Sequence, residues 1–216
     1  MDIATLGAFV AASTLLLMIP GPTALLIVAY AISQGRRVAA ATAAGVALGD
    51  LVAMTASLAG LGALLSASAE LFTAVKLIGA AYLVWMGVAM WRGAGRIPDM
   101  PAGPDQTANV AAQGAIPTAR VFRDAFVVTA LNPKSIVFFI AFVPQFIDPG
   151  AAYLPQAAIL TAIFVGLALL NALAYALLAD GVGARLRRPA ARRLMSRAGG
   201  TALLAMAGLT ATARQS

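Results

Sequence analysis

Apolar residues fill most of this chain in long runs that polar residues interrupt only briefly. Stretches with little or no charge occur at Ile3 to Ser33, Val38 to Leu65, Leu71 to Trp91, Phe126 to Ile147, Tyr153 to Ala179 and Ala198 to Ala213. A helix needs about 20 apolar residues to cross the hydrocarbon core of a bilayer. The pattern therefore predicts an all-α membrane protein with six transmembrane helices. The last run is short and rich in glycine, which leaves a five-helix version open. Between the third and fourth runs, residues 93–120 hold Pro98, Pro101, Pro104 and Pro117 among Gly, Asp, Gln and Asn. Such a segment cannot span a membrane and reads as a flexible linker. The chain thus divides into a three-helix unit over residues 1–92, a linker over 93–120 and a second three-helix unit over 121–216.

Composition supports lipid as the main solvent. The chain is 61% apolar and 11% charged, too few charges to cover the surface of a soluble domain of 216 residues. The formal charge of +7 lies in short arginine clusters between the apolar runs, with no basic stripe and no interleaved aromatics, which argues against nucleic acid as a partner. Those clusters set orientation instead. The connections after the first, third and fifth runs carry Arg36 and Arg37, then Arg92, Arg96, Arg120 and Arg123, then Arg185, Arg187, Arg188, Arg192, Arg193 and Arg197, while the opposite side carries only Arg214. The positive-inside bias makes these connections, the linker included, cytoplasmic and turns both termini outward across a bacterial inner membrane. Each half has an odd number of spans, so the two halves form inverted repeats, an architecture common in transporters. Met1-Asp2 lacks the positive start of a signal peptide and the apolar run continues past any cleavage point, so the first span is expected in the mature protein.

The absence of cysteine removes disulfides, thiol catalysis and thiolate metal sites, and the absence of histidine removes the commonest general base and metal ligand. No cofactor is implied. The chemistry left is that of polar groups inside apolar runs. Pro20, Gly21 and Pro22 interrupt the first span; neither proline has an amide hydrogen, so the carbonyls of Leu16 and Met18 lose their helical partners. In hydrocarbon such carbonyls are tolerated only against protein or a wet cavity. The same run could instead be a packing kink. Asn132, Pro133 and Lys134 repeat the interruption in the fourth span and free the carbonyl of Thr129. Gly21-Pro22 and Asn132-Pro133 are each followed, twelve residues after the proline, by glutamine, Gln34 and Gln145. Broken helices at matching places in two halves point to a transporter binding site.

Lys134 lies too deep to snorkel and is expected to face the interior, since a lysine at the bilayer centre costs about 2.5–3.5 kcal/mol. Asp50 is the only acid near the middle of any span and the natural partner of Lys134. It reads either as a structural counter-ion to Lys134 or Lys76, or as a carboxylate that binds a substrate ammonium or exchanges a proton. Lys76 lies near the outer end of the third span, where its stem reaches the headgroups, and divides evenly between anchoring and transport. Asn171 and Tyr175, four apart on the fifth span, line a pathway or bond a neighbouring helix. Gly45 and Gly49 permit close helix packing just before Asp50. Glu70 and Asp180 sit at span ends and read as interfacial, while Tyr82, Trp85 and Trp91 read as packing groups or interface anchors.

Taken together, these residues resemble the LysE/RhtB family of amino-acid exporters, the LysE-type translocators. The matching stretches are Pro20-Gly21-Pro22, Gly35-Arg36-Arg37, Gly45 to Asp50, Lys76 with Gly79, Tyr82 and Leu83, Leu131-Asn132-Pro133-Lys134, and Pro144-Gln145-Phe146, in order over nearly the whole chain. Two features depart from the pattern: a glycine often found shortly after Gly-Arg-Arg is missing in Val38-Ala39-Ala40, and the linker matches nothing diagnostic. The resemblance implies secondary export of amino acids or close derivatives, driven by protons, with Pro-Gly-Pro and Asn-Pro-Lys near the transport path. Alternating access at a midplane site is the expected mechanism, and a transporter this short is a candidate homodimer. The rival readings are an exporter of cations or other small solutes, which would be expected to carry several midplane acids, an intramembrane enzyme, for which no motif exists, and a structural subunit, which leaves the buried charges unexplained.

Overall fold

The computed structural model describes residues 1–92, 116–179 and 189–212, and within them the chain is helical with no strands. Most of the linker, with Arg96, lies outside the described residues, as do Asp180, Arg185, Arg187, Arg188 and Arg214. Eight α-helices follow in order: α1 (Ile3–Met18), α2 (Pro22–Gln34), α3 (Ala39–Ala67), α4 (Ala69–Arg92), α5 (Thr118–Ala130), α6 (Pro133–Ala141), α7 (Tyr153–Leu177) and α8 (Pro189–Thr212). Short 3-10 turns at Arg36–Val38 and Val143–Phe146 complete the elements.

Among the described residues, three stretches are long and apolar enough to cross a membrane as single helices: Arg36–Ala63, Thr73–Arg92 and Tyr153–Leu177. Two more candidates are bent pairs. α1 and α2 meet at 57°, and α5 with α6 at 44°, each across a break of four residues or fewer. Counting each pair as one gives five candidate spans. α8 falls short of that class, because Arg197, Gly199, Gly200 and several threonines dilute its apolar run.

Local sequence accounts for the boundaries. Asp2 caps α1, accepting from the Thr5 amide at 2.6 Å, and that bond holds its carboxyl below the usual carboxylate range. Gly35 ends α2 at φ 72°, a left-handed backbone that glycine adopts without strain, and the chain turns there into Arg36 and Arg37. Two boundaries differ from the hydropathy pattern. α5 starts at Thr118, eight residues before Phe126 and inside the expected linker, because Val121 and Ala125 face the core while Arg120, Arg123 and Asp124 ride the other face. α8 starts at Pro189 and not at Ala198, so Arg192, Arg193 and Arg197 belong to its first turns. Hydropathy averages the two faces of an amphipathic helix and sees neither.

The central helix is α3, which packs against α5 on one side and α7 on the other, while α4 pairs with α8 at the periphery. Glycines set these distances. A Cβ on Gly45 would stand 2.5 Å from the Phe122 carbonyl oxygen, and one on Gly49 would stand 2.8 Å from that of Phe126, so the small-xxx-small pair brings α3 directly onto α5. Gly87 and Gly200 do the same between α4 and α8, and Gly79 admits the Ala141 methyl of α6. The glycines that weaken α8 as an apolar run are thus the ones that seat it.

The outward face also carries many large apolar side chains. On α4, Leu71, Ile78 and Trp85 recur every seven residues and are 52%, 70% and 63% exposed. Such a stripe suits lipid and would aggregate in water. Inside, Phe9, Phe138, Phe139 and Phe164 are fully buried, and with Phe142 and Phe146 they pack mostly edge to face.

Candidate functional site

The two breaks come together in the interior. Around them lies a cavity of about 30 Å³ lined by Gly21 and Thr23 from the first break, Thr129, Asn132, Lys134 and Ser135 from the second, Asp50 from α3 and Asn171 from α7. Apolar side chains such as Leu17, Ile27 and Val46 complete its wall. That volume holds about two waters.

At the first break α1 ends with a row of carbonyls that have lost their helical partners. Each finds a side chain from the second half of the sequence. Lys134 Nζ donates to the Leu16 oxygen at 3.1 Å and to the Ile19 oxygen at 2.9 Å. Asn171 Nδ2 donates to the Leu17 oxygen at 3.3 Å, and the Tyr175 hydroxyl to the Met18 oxygen at 3.2 Å. A cation at the C-terminal end of a helix also meets the negative pole of its dipole. Lys134 can sit this deep because that pole and those oxygens replace its hydration. Gly21 lies close by: a Cβ there would stand 3.5 Å from Nζ, in ordinary van der Waals contact.

The second break is tied in reverse. Asn132 caps α6, accepting from the Lys134 amide at 3.1 Å, and its Nδ2 donates to Thr23 Oγ1 at 3.3 Å. The Thr129 hydroxyl donates to the same Thr23 oxygen at 3.3 Å. Thr23 follows Pro22 as Lys134 follows Pro133, so the residue after each proline reaches the opposite break.

Asp50 is 2% exposed and its Oδ1 has no hydrogen-bond partner. Ser13 Oγ is the other buried side-chain polar atom without one among the described residues, and it does not line the cavity. The Lys134 ammonium is directed at carbonyls and does not close on Asp50 as a salt bridge. A buried carboxylate oxygen without a hydrogen-bond donor is costly, and Lys134, which lines the same cavity, is the cation nearest to hand.

Of the residues singled out from sequence, Gly21, Asp50, Asn132, Lys134 and Asn171 line the cavity, while Pro20, Pro22 and Pro133 form the breaks beside it without lining it. Lys76 stands on the second turn of α4 and does not line it. Tyr82 and Trp85 pack on each other with ring centroids 5.4 Å apart, and Trp91 donates to Thr201 Oγ1 at 3.1 Å under the Arg197 guanidinium. Sequence reasoning passed over Thr23, Ser135 and the hydroxyl of Thr129, whose only signal is a place next to a helix break; the Thr129 carbonyl it marked as freed accepts from the Asn132 amide at 3.0 Å. It also passed over the pair Tyr30 and Asp124, where a 2.7 Å hydrogen bond ties α2 to α5 at the arginine-bearing end. Gln34, at the end of α2, accepts there from Arg37 and from the Ile116 amide at 3.0 Å. Among the described residues no three acids lie close enough to hold a metal ion.

A helical bundle with an apolar exterior and two bent helix pairs meeting at a polar cavity is that of a multi-pass membrane protein. The chain belongs to the LysE type translocator family, whose model matches residues 14–214. It is 35% identical over 207 residues to the homoserine/homoserine lactone efflux protein of Salmonella typhi, a match covering 96% of each chain. It is 31% identical to an uncharacterized membrane protein of Vibrio cholerae over 99% of this chain and 100% of that one. A leucine efflux protein of an Enterobacter species is 33% identical over 66% of this chain and 64% of its own. No solved structure matches.

Proposed function

We propose that this protein exports amino acids or close derivatives across the bacterial inner membrane by proton-coupled alternating access. One observation carries the reading: a carboxylate, Asp50, is buried without a partner in a cavity between two broken spans. Intramembrane acids in such places mark ion and substrate pathways. In this proposal Asp50 binds the substrate ammonium and, when empty, a proton, while Lys134 holds the first break open by occupying its carbonyls.

The reciprocal ties support two inverted halves of three spans each, with α8 as the sixth span. Thr23 reaches the second break and Lys134 the first, and Gln34 and Gln145 each lie at the far end of the outgoing arm of their break. Arginines at one end support a cytoplasmic assignment for that end and outward termini. The cavity is too small for an amino acid, which fits an occluded state from which rocking of the halves widens it toward either side. Dimerisation stays an expectation from chain length.

The test is overexpression in bacteria fed dipeptides, scoring which free amino acid accumulates outside. Homoserine, its lactone and leucine head the panel, because relatives bear those names. Export above the vector control that is lost in a folded, inserted Asp50→Asn variant supports the reading. No export over the whole panel, or undiminished export by Asp50→Asn, defeats it.

A further inference from the structure

At the N-terminus of α2 the first amides have neither a capping side chain nor a backbone acceptor. Its cap residue is Gly21, which has no side chain to accept from the first amides. The first amide of the helix to find an acceptor is that of Leu25, which donates to the Gly21 carbonyl at 3.0 Å. Pro22 has no amide hydrogen, so the orphan donors are those of Thr23 and Ala24, and both residues line the cavity. The matching end of α6 is different, because Asn132 caps it. In a bundle surrounded by lipid, water does not reach every helix end, and uncapped amides are costly unless a ligand takes them. Such amides at the positive pole of a helix form a ready seat for an anion. The Lys134 ammonium adds to that pole. It lies 3.5 Å from where a Gly21 Cβ would be, and two of its three hydrogens are committed to Leu16 and Ile19.

A second observation points to a ligand in the same place. Asp50 lines the same cavity, is 2% exposed and offers an acceptor with no donor. One wall thus presents donors without acceptors and another an acceptor without donors. We infer that the Thr23 and Ala24 amides at the start of α2 bind the carboxylate of a zwitterionic substrate whose ammonium is held by Asp50. This rests on the export reading and names what the site recognises: a free α-carboxylate, read by backbone. Lys134 is then a positioning residue at the edge of the carboxylate seat. The seat is fully offered only when the cavity widens beyond its present two-water volume.

The test removes one hydrogen. Replacing Ala24 by lactic acid, its α-hydroxy counterpart, through nonsense suppression converts the amide to an ester and keeps the methyl. Because that amide makes no helical bond, the full-length protein is expected to melt as wild type does. Binding in detergent is titrated with L-homoserine, L-leucine and any further amino acid scored in the dipeptide assay, each against its own primary amide. The ester protein is expected to bind the amino acid about tenfold or more weakly, the usual weight of one hydrogen bond to a charged group. Its loss for the primary amide should be clearly smaller, because the neutral carbonyl oxygen accepts a weaker bond from the same donor. Unchanged amino-acid affinity, or an equal loss for acid and amide, overturns the assignment and leaves the export reading standing. Wild-type protein that exports no amino acid defeats the export reading, and this inference with it.

Discussion

Lys134 Nζ lies 2.9 Å from the carbonyl oxygen of Ile19, a residue 115 positions earlier in the chain. That contact makes a lysine of one half the cap of a broken helix in the other. It also explains how a cation survives mid-bundle without a salt bridge, since the carbonyls of Leu16 and Ile19 supply the oxygens that water would.

Lys134→Ala should therefore destabilise as well as inactivate. It removes the donor to the Ile19 carbonyl and one of two donors to that of Leu16, which keeps the Ile19 amide at 3.2 Å, and each charge-assisted bond weighs about 1.5–3 kcal/mol. Thermal unfolding in detergent is expected to shift down by several degrees, and export to fall to background. A melting point equal to wild type would show that the cap carries no weight.

Asp50→Asn should separate the two properties. The mutation removes a buried charge that makes no hydrogen bond through Oδ1, so stability is expected to hold or rise, while export falls at least about tenfold. A variant both less stable and partly active would indicate a structural carboxylate instead.

Gly45 and Gly49 should tolerate no side chain. A Cβ at either position would press on α5 backbone at 2.5 and 2.8 Å, and Gly49→Ala is expected to cost about 1–3 kcal/mol, the usual penalty of overpacking. Gly60→Ala, where nothing lies within 4 Å, is the control and should be neutral or slightly stabilising. Equal melting of the two variants would refute the close α3–α5 contact.

Tyr30→Phe should loosen the end of the bundle that bears Arg36, Arg37, Arg120 and Arg123. It deletes the 2.7 Å bond from Tyr30 to Asp124 between α2 and α5. The chain has no cysteine, so a single Ser135→Cys reporter in the cavity wall can be alkylated by a charged thiol reagent from one side at a time. In inside-out vesicles, labelling is expected to quicken several-fold when Tyr30→Phe is added, with little change from the other face. Equal rates with and without Tyr30→Phe would remove this bond from any gate.

Covalent geometry and lipid determined a good part of this protein before any packing was considered. Proline lacks an amide hydrogen wherever it occurs, so the breaks at Pro20-Gly21-Pro22 and Asn132-Pro133 could be placed to the residue, and with them the stranded carbonyls of Leu16 and Met18. An acid and a lysine deep inside apolar runs had to face inward, which marked Asp50 and Lys134. Glycines four apart announced the tight face of α3. Which group answers which was decided only by the tertiary structure. Sequence offered Asp50 as the partner of Lys134 because opposite charges attract; that the ammonium also hydrogen-bonds the carbonyls of Leu16 and Ile19 depends on how the two halves dock. The same docking put Tyr175 on Met18, Asn132 and Thr129 on Thr23, and Tyr30 on Asp124, and it left Asp50 Oδ1 and the first amides of α2 without a hydrogen bond. Those pairings join residues some 94 to 157 positions apart, and no local pattern encodes a contact between segments whose meeting is fixed by the packing of everything between them.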